Sequence, residues 1–330
     1  MLMKNGSDSL NLISIHSHKG GVGKTTLAAV LAAALAQRGQ KVCLLDLDLL
    51  APALATVLGV QETWPGIGEF LFCMRDEKGE ESRGYKPKEV CRPVESRWAG
   101  AGDSGVWLVP ARADYELARG AQSYLMAEER SGLLEARVEI LLEGLRKELK
   151  ITTFVLDLAP SLFGMSGAVF RLAARLEQSV VLVSTPAYAD LRGTQAMLNQ
   201  MFEAVEDAAD YEAVGKQAGT DRAASTPRMA FLLNRFLGDP DSGNQRTAVM
   251  RVMRAALGKE GDFQDAGLVE QWLKKFDRVA TMPENPDWRR LSEVRLGPAE
   301  PPVSLGQVVT KEIRDLAEWL ESASKEPENR

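Results

Sequence analysis

The sequence predicts a doubly wound α/β protein in which helices cover both faces of a mostly parallel sheet. Short, continuous apolar runs alternate with helix-like stretches along the chain, and this alternation favours parallel strands that are buried on both sides. A glycine-rich loop and several aspartates directly follow such runs. Because ligands bind at the carboxyl ends of the strands in folds of this class, the motifs stand where a binding site is expected.

Six apolar runs are predicted strands, with helices between or after them. The first helix is rich in alanine and leucine and stops at Gly39, which is typical of a helix end. The predicted strands cover residues 10–15, 41–48, 106–111, 154–160, 179–186 and 229–236. The predicted helices cover residues 26–39, 132–149, 191–209 and 310–322.

These elements are predicted to form a single domain over residues 10–322. The stretch 72–105 is rich in charge and glycine, and is interpreted as an insertion or a partner-facing loop. A polar link at 213–226 is expected to be mobile. The compositions of residues 1–9 and of the acidic segment 323–330 predict disordered tails.

Composition limits the function classes. The 330 residues carry a net charge of -6, so the chain has no global attraction for nucleic acid or anionic lipid. No apolar run approaches the roughly 20 residues that span a bilayer, and the first residues lack the apolar core of a signal peptide. The cysteines, Cys43, Cys73 and Cys91, have no close spacing that indicates a disulfide framework or a Cys-x-x-Cys metal site. A cytoplasmic protein is expected.

The stretch HSHKGGVGKTT, residues 16–26, fits the phosphate-binding pattern G-x-x-x-x-G-K-[ST], with His18 at the position of the first glycine. Lys24 is expected at the β- and γ-phosphates, Thr25 at Mg²⁺ and Thr26 at the α-phosphate. Glycines in such a loop let backbone N–H groups turn toward phosphate oxygens at a helix N-terminus. ATP and Mg²⁺ are the predicted cofactors. The predicted nucleotide contacts are Gly20, Gly21, Val22, Gly23, Lys24, Thr25 and Thr26.

Three aspartates follow predicted strands and are candidates for the magnesium and water positions. Asp46 and Asp48 end the second strand, where they could hold the magnesium shell or orient an attacking water. Asp157 ends the run FVLDL, the usual Walker-B arrangement in which a carboxylate binds Mg²⁺ through water. Thr25, Asp46 and Asp157 are the predicted metal residues.

Taken together, KGGVGKTT, LLDLDLLAPALATVLGV and VLDLAPSLFG resemble the deviant-Walker ATPases of the ParA/MinD type. The resemblance continues through STPAYADLRGTQAML, FLLNRF and MPENPDWRRLSE, and implies a P-loop NTPase that forms an ATP-sandwich homodimer. It implies that Lys19 is the signature lysine, which crosses to the partner's phosphates, and that Asp48 orients water. It also assigns adenine contacts to Asn234, Pro283 and Glu284.

The chain departs from that family at several positions. Ser161 stands where the family often has glycine, so the loop after the fourth strand is expected to be stiffer or slower to respond. The cysteines do not match the paired cysteines of the iron–sulfur branches. The last helix is too acidic for a membrane anchor, and Leu316, Trp319 and Leu320 at helical spacing are interpreted as core.

The histidines and a basic cluster complete the candidates. His16 and His18 flank the loop, and structural roles are favoured because a phosphate site needs no imidazole. Basic residues within 274–295 leave a DNA-binding face open, as in partitioning relatives, but they are interleaved with acids, which favours a solvated surface. The cluster comprises Lys274, Lys275, Arg278, Arg289, Arg290 and Arg295.

The resulting hypothesis is a bacterial, Mg²⁺-dependent ATP hydrolase, slow and stimulated by a partner, that acts as a positioning, partitioning or regulatory switch. Its expected partners are a second copy and an unidentified activating or cargo protein. Two alternatives stay open: a metal-cluster or maturation factor of the Mrp-like branch, and an ATP-dependent ligase or phosphotransfer enzyme on the same scaffold.

Overall fold

The predicted strands are present in a computed structural model of the chain, each within two residues of its predicted ends. The structure describes residues 10–61, 63–72, 84–94, 105–111, 132–215, 227–236, 245–257, 266–285, 288 and 308–322. The strands are β1 (Asn11–His16), β2 (Val42–Leu47), β3 (Arg92–Pro93), β4 (Val106–Val109), β5 (Thr153–Leu158), β6 (Ser179–Ser184), β7 (Arg228–Phe236) and β8 (Arg278–Pro283).

Helices connect these strands, and the predicted helices are among them. The helices are α1 (Lys24–Gln37), α2 (Leu54–Leu58), α3 (Ile67–Phe72), α4 (Leu133–Leu149), α5 (Met165–Arg175), α6 (Tyr188–Gly215), α7 (Gln245–Leu257), α8 (Ala266–Lys274) and α9 (Lys311–Ser322), with a short 3₁₀ helix at Pro87–Glu89.

All the strands belong to one sheet in the order β3-β4-β2-β5-β1-β6-β7-β8. Every neighbouring pair is parallel except β3 with β4. Since parallel strands end at the same edge, the residues after β1, β2, β5, β6, β7 and β8 all lie at the carboxyl edge of the sheet. The predicted fold class is therefore confirmed, and the carboxyl edge is where the candidate site must be sought.

Both faces of the sheet are covered because successive strand residues point to opposite sides. Leu12 packs in the apolar core on one side and Ile13 in the core on the other. Helix α1 is buried nearly all round, and α9 packs on α1, with Leu316 and Leu320 in the same apolar core as α1. The apolar stripe of α9 is thus core, as its spacing indicates. Trp319 is partly buried and receives the Arg228 guanidinium 4.4 Å from its ring centre.

Two strands differ from the sequence-based expectation. β8 lies inside the stretch that was interpreted as charged surface, and pairs with β7 at the sheet edge. β3 lies inside the predicted insertion, where Val90 and Cys91 are buried, so residues 84–94 extend the sheet rather than form a free loop. Residues 73–83 and 95–104 of that insertion, the tails and the link after residue 215 lie outside the described residues.

Two cysteines that are distant in sequence meet in the core. The sulfur atoms of Cys43 and Cys91 are 3.7 Å apart, and both residues are free thiols that solvent does not reach. Sequence spacing gave no sign of this pair because tertiary packing alone brings β2 beside the residue that precedes β3. Among the described residues, no helix is both long and apolar enough to cross a membrane.

Candidate functional site

The glycine-rich loop connects buried β1 to α1 at the middle of the carboxyl edge. Gly21 and Gly23 have φ angles of 77° and 97°, a region that favours glycine. A Cβ atom on Gly23 would lie 2.5 Å from Asn234 Nδ2, so the close approach of β7 also requires a glycine there. Helix α1 begins at Lys24, and its free N–H groups and positive end face the loop, which is the geometry that binds phosphate.

Two residues at the end of β7 brace this loop. Asn234 Nδ2 donates a hydrogen bond to the carbonyl of Val22 at 2.7 Å, and an Arg235 Nη2 atom donates to the carbonyl of Gly21 at 2.9 Å. The adenine role of Asn234 stays a prediction, because its amide here holds the loop. Arg235 was missed by the sequence reasoning, although it directly follows Asn234 in FLLNRF.

The carboxylates of Asp46 and Asp157 lie side by side on adjacent strands. Asp157 is in register with Asp46 of β2 and with Ile15 of β1, so it lies next to the start of the phosphate loop. Both aspartates are almost completely buried. Two buried carboxylates at neighbouring positions raise each other's pKa unless a cation is supplied.

Asp46 has a structural role that its sequence position did not reveal. Its Oδ2 accepts hydrogen bonds from the backbone N–H groups of Ala53 and Leu54 at 3.1 and 3.0 Å, and its Oδ1 accepts from Asp48 N at 3.2 Å. Asp46 therefore fixes the segment between β2 and α2. Burial raises the pKa of Asp46 well above its ordinary value, with a further rise from Asp157, while these backbone bonds oppose it. Its predicted place in the metal shell stays a prediction.

Asp157 keeps one free oxygen in a position that suits a cation. Thr25 hydrogen-bonds to its side chain, whereas Asp157 Oδ1 is buried and has no partner among the described residues. Burial raises the pKa of Asp157 from 3.8 to about 6, while the Thr25 hydrogen bond and the charge of Lys24 oppose the rise. A cation bound at Asp157 Oδ1 would offset the negative charge of this carboxylate.

The raised pKa of Asp157 predicts a pH-dependent stability in the absence of nucleotide and Mg²⁺. Between about pH 4 and 6 the folded state holds more protons than the unfolded state, so the unfolding free energy falls as the pH rises through this window. Above pH 6 the loss amounts to about 3 kcal/mol. Asp157→Asn should therefore stabilise the protein at pH 8 and not at pH 4, as measured by urea unfolding. Equal effects of the substitution at both pH values would contradict this.

Lys24 lies close to the carboxylates of Asp157 and Asp48. Lys24 is buried, and burial lowers its pKa, whereas the charges of Asp157 and Asp48 raise it. Asp48 is half-buried, and its Oδ1 accepts the N–H of Ala51 at 3.1 Å. The loop, the helix start and the three aspartates are thus within one site, and the catalytic and metal roles assigned to them stay predictions.

Lys19 projects from the loop into solvent and reaches the first turn of α6, the helix that follows β6. Its side chain is 61% exposed, and Nζ lies 3.1 Å from Oδ1 of Asp190 near the start of α6. Asp190 is itself buried, and its Oδ2 accepts a hydrogen bond from Thr185 Oγ1 at 2.6 Å. The sequence reasoning missed Asp190. The signal that could have found it is an acidic residue in the first turn of a helix that follows a predicted strand.

Ser161 has a positive φ of 88°, a conformation that suits glycine better than serine. Its N–H donates to the carbonyl of Ser17 at 2.9 Å, so the loop after β5 is tied to the start of the glycine-rich loop. The structure thus gives a physical basis for the expectation of a stiffer loop, since the residue is held in a strained conformation.

The histidines do not point into the site as ligands. His16 is buried, with Nε2 3.0 Å from Ser14 Oγ and its ring edge-on to Phe170. Burial and the charge of Lys24 lower the pKa of His16 to about 3, so it stays neutral. The His18 ring lies against α6, where a Cβ on Gly193 would be 1.8 Å from it. His16 is therefore a core side chain, whereas His18 is exposed beside α6, and its structural role stays a prediction.

The remaining candidates lie on the β8 side of the edge. Pro283 ends β8 and pairs with Phe236, and exposed Glu284 follows, so both are at the same edge as Asn234. In the basic cluster, Lys274 is 3.4 Å from Glu270 and Lys275 lies over Phe202. Arg289, Arg290 and Arg295 lie outside the described residues.

Known proteins share parts of this sequence. A model of the CobQ/CobB/MinD/ParA nucleotide binding domain matches residues 13–264, more than half of the chain. An iron-sulfur cluster carrier protein of Aquifex aeolicus (strain VF5) is 51% identical over 68 residues, which are 21% of this chain and 19% of the relative. The chain thus matches about a fifth of the length of that curated relative.

Solved structures show the same fold. A variant of Cyanothece McdA in complex with ATP has a TM-score of 0.58 at 17% identity and covers 98% of this chain and 100% of its own. The septum site-determining protein MinD of Pyrococcus horikoshii OT3, complexed with Mg-ADP, has a TM-score of 0.52 at 20% identity, covering 95% and 96%. Together with the family model and the geometry of the loop, these findings lead to one conclusion: the chain belongs to the CobQ/CobB/MinD/ParA nucleotide-binding domain family.

Proposed function

We propose that the protein is an Mg²⁺-dependent ATPase that dimerises on ATP and acts as a positioning, partitioning or regulatory switch. The observation that carries this proposal is the contrast between two lysines of one loop. Lys24 is buried at the phosphate position, whereas Lys19 is largely exposed and, within the part of the chain that the structure describes, is paired with Asp190. One lysine serves the nucleotide of its own subunit, and the other is free to reach a second subunit.

The residues around Lys24 have different roles at the phosphates. The loop N–H groups and the start of α1 cradle the phosphate oxygens, and the Lys24 ammonium neutralises the terminal phosphates. Asp157 and Thr25 fit an Mg²⁺ ion, which prefers oxygen ligands, because Asp157 Oδ1 is a buried acceptor with no partner among the described residues. When bound, Mg²⁺ would offset the negative charge of the phosphates. Asp46 supports this arrangement by fixing the Asp48 segment.

Asp48 is the residue we assign to the attacking water. It is half-exposed at the mouth of the site, while the Asp46 oxygens are occupied by backbone N–H groups. A carboxylate with a free oxygen beside the γ-phosphate position orients water and accepts its proton. The oxygen of Asp48 that does not bind Ala51 is suited to this role.

The Lys19–Asp190 pair sets the starting state of the switch. Solvent screens this pair from the Lys19 side, since that side chain is 61% exposed, so a partner's triphosphate can replace Asp190 as the counterion of Lys19. The contact with the partner's γ-phosphate exists only with ATP, and this couples association to the nucleotide. Hydrolysis removes the γ-phosphate and lets Lys19 return to Asp190. The output partner is an activating or cargo protein, and nucleic acid is not required by this scheme.

A role in iron–sulfur cluster delivery is the second candidate, supported by the similarity to the Aquifex carrier protein. Cys43 and Cys91 lie close together but inside the core, so a cluster bound there would have no route to a recipient. This favours the ATP switch. Anaerobic reconstitution with iron and sulfide, read by visible absorbance, decides between them, because the switch requires no cluster.

The test of the proposal uses Lys19. Lys19→Ala should keep its ADP affinity within a few-fold of wild type but stay monomeric with a non-hydrolysable ATP analogue, as measured by sedimentation velocity. Asp190→Ala should instead dimerise at a lower protein concentration than wild type, since it frees the Lys19 of both subunits from the ion pair with Asp190.

Lys147→Ala is the matched control, because Lys147 is 63% exposed and paired with Glu143 on α4. It should behave like wild type. If Lys19→Ala dimerises and hydrolyses ATP normally, Lys19 is only a surface charge and the dimer mechanism is wrong.

A further inference from the structure

The last residues of β7 depart from regular strand geometry where they meet the glycine-rich loop. The pairing of β7 with β8 shifts register between Leu233 and Phe236, so the irregularity falls on Asn234 and Arg235. Arg235 has a φ of 56°, in the left-handed region that residues other than glycine seldom adopt. Bulges re-aim side chains and are common next to active sites. A strained residue beside a binding loop therefore points to a function in that loop.

The irregular end of β7 directs two side chains at the glycine-rich loop. Arg235 Nη2 donates to the carbonyl of Gly21 at 2.9 Å, and Asn234 Nδ2 donates to the carbonyl of Val22 at 2.7 Å. The Asn234 amide is held in this orientation because its Oδ1 accepts the N–H of Arg235 at 2.9 Å. Two successive peptide units of the loop are thus each held by their carbonyl oxygen.

Holding a carbonyl also sets the direction of the N–H in the same peptide. These peptides are trans, and the N–H of a planar trans peptide points opposite to its C=O. The carbonyls of Gly21 and Val22 point to β7, so the N–H groups of Val22 and Gly23 point away from it. Neither N–H has an acceptor among the described residues. Successive N–H groups that point to one side form a concave site for an anion, so the end of β7 presets two donors for phosphate.

We propose that Arg235 is a positioning residue of the phosphate site, which holds the peptide between Gly21 and Val22 in the orientation that binds phosphate; this rests on the nucleotide site proposed above. A guanidinium suits this role because it forms a charge-assisted hydrogen bond to the carbonyl from the exposed side of the loop. Glycines lose the most backbone freedom when they become ordered. A loop that Arg235 has already ordered therefore loses less of this freedom when phosphate binds.

Arg235→Asn tests the proposal because it removes the guanidinium while asparagine tolerates the left-handed region. It should lower the affinity for Mg-ADP about five- to tenfold, as measured by calorimetry. The affinity for inorganic pyrophosphate, measured by competition with ADP, should fall by the same factor, since the loop N–H groups bind phosphate and not the base. Arg251→Asn is the matched control, because Arg251 is exposed on α7 and its loss changes the net charge equally. It should match wild type in both measurements.

A double-mutant cycle with Gly21→Ala shows whether Arg235 acts through the loop. A Cβ at Gly21 would meet no atom within 4 Å, so this change acts through the positive φ of 77°. In the Gly21→Ala background, Arg235→Asn should lower ADP affinity less than about twofold further, because both changes act on one peptide. Urea unfolding without nucleotide checks that each variant is folded. Arg235→Gln, whose side chain is shorter than that of arginine, replaces an unfolded Arg235→Asn with the same losses expected.

The outcomes separate the positioning role from the nucleotide site itself. If wild type binds ADP and Arg235→Asn binds it equally well, the proposal is overturned while the nucleotide site stands. A loss for ADP with unchanged pyrophosphate affinity would place Arg235 at the base, and additive effects in the cycle would place it in direct contact with the phosphates; both overturn the positioning role. If pyrophosphate binds too weakly to compete, the cycle alone decides. If wild type binds neither ligand, the nucleotide site and the positioning role fail together.

Discussion

Lys24→Ala should lower the affinity for ATP by about 100-fold. A hydrogen bond to a charged group contributes up to about 3 kcal/mol, and each 1.4 kcal/mol corresponds to a factor of ten in affinity. The effect is large because Lys24 is buried against Asp157. Without its ammonium, the phosphate charge would enter a site that already holds two buried carboxylates and has lost the lysine charge that offsets them. Isothermal calorimetry with ATP and Mg²⁺ measures the loss.

Lys24→Met is the matched variant, because it retains most of the buried stem and removes only the charge. Both variants should lose ATP binding to a similar extent, which separates the charge from packing. Urea unfolding without nucleotide checks that each variant is folded. Equal ATP affinity in wild type and Lys24→Ala would falsify the assignment of this loop as the phosphate site.

Asp48→Ala should bind ATP within a few-fold of wild type and hydrolyse it at least about 100-fold more slowly. Positioning and deprotonating the attacking water contributes about 100- to 10,000-fold in comparable cases, whereas the phosphate contacts come from the loop and Lys24. The measurement is single-turnover hydrolysis at saturating protein, with binding measured in parallel.

Asp48→Asn separates the two functions of this side chain. Its amide oxygen can still accept the Ala51 N–H that Asp48 accepts at 3.1 Å, so the loop keeps its shape while the base is lost. We expect Asp48→Asn to be as slow as Asp48→Ala. Turnover at the wild-type rate in Asp48→Ala would instead move the assignment to Asp157, because both oxygens of Asp46 are occupied by backbone N–H groups.

Much of the candidate site follows from the sequence because its parts are local. The loop geometry depends on glycines at fixed positions in the motif. Gly21 and Gly23 do adopt positive φ angles, which glycine tolerates better than other residues. The aspartates are found at strand ends because an apolar run that closes on an acid is a local pattern. Which role each of those aspartates has cannot be read from the local sequence. It depends on which oxygens meet backbone N–H groups, and for Asp46 these come from a segment seven and eight residues later.

The contacts that the sequence reasoning missed all join distant parts of the chain. Lys19, in the loop after β1, pairs with Asp190, in the helix after the neighbouring strand β6. Arg235, near the end of β7, donates a hydrogen bond to the glycine-rich loop. Cys43 and Cys91 meet although 48 residues separate them. β8 was missed because it is an edge strand of mixed composition, which begins with an arginine, ends with a proline and gains its strand geometry from pairing with β7.

The sequence by itself determined the fold class, six of the strands, the main helices and the phosphate-loop motif. These depend on hydrophobic periodicity and glycine spacing, which are local properties of the sequence. Only the tertiary structure decided that Asp46 accepts backbone hydrogen bonds, that Asp157 has a buried oxygen without a partner among the described residues and that Lys19 is paired with Asp190. These depend on the order of strands in the sheet, which sets the side-chain neighbours at its carboxyl edge. Strand order follows from the packing of the whole chain, and no local pattern encodes it.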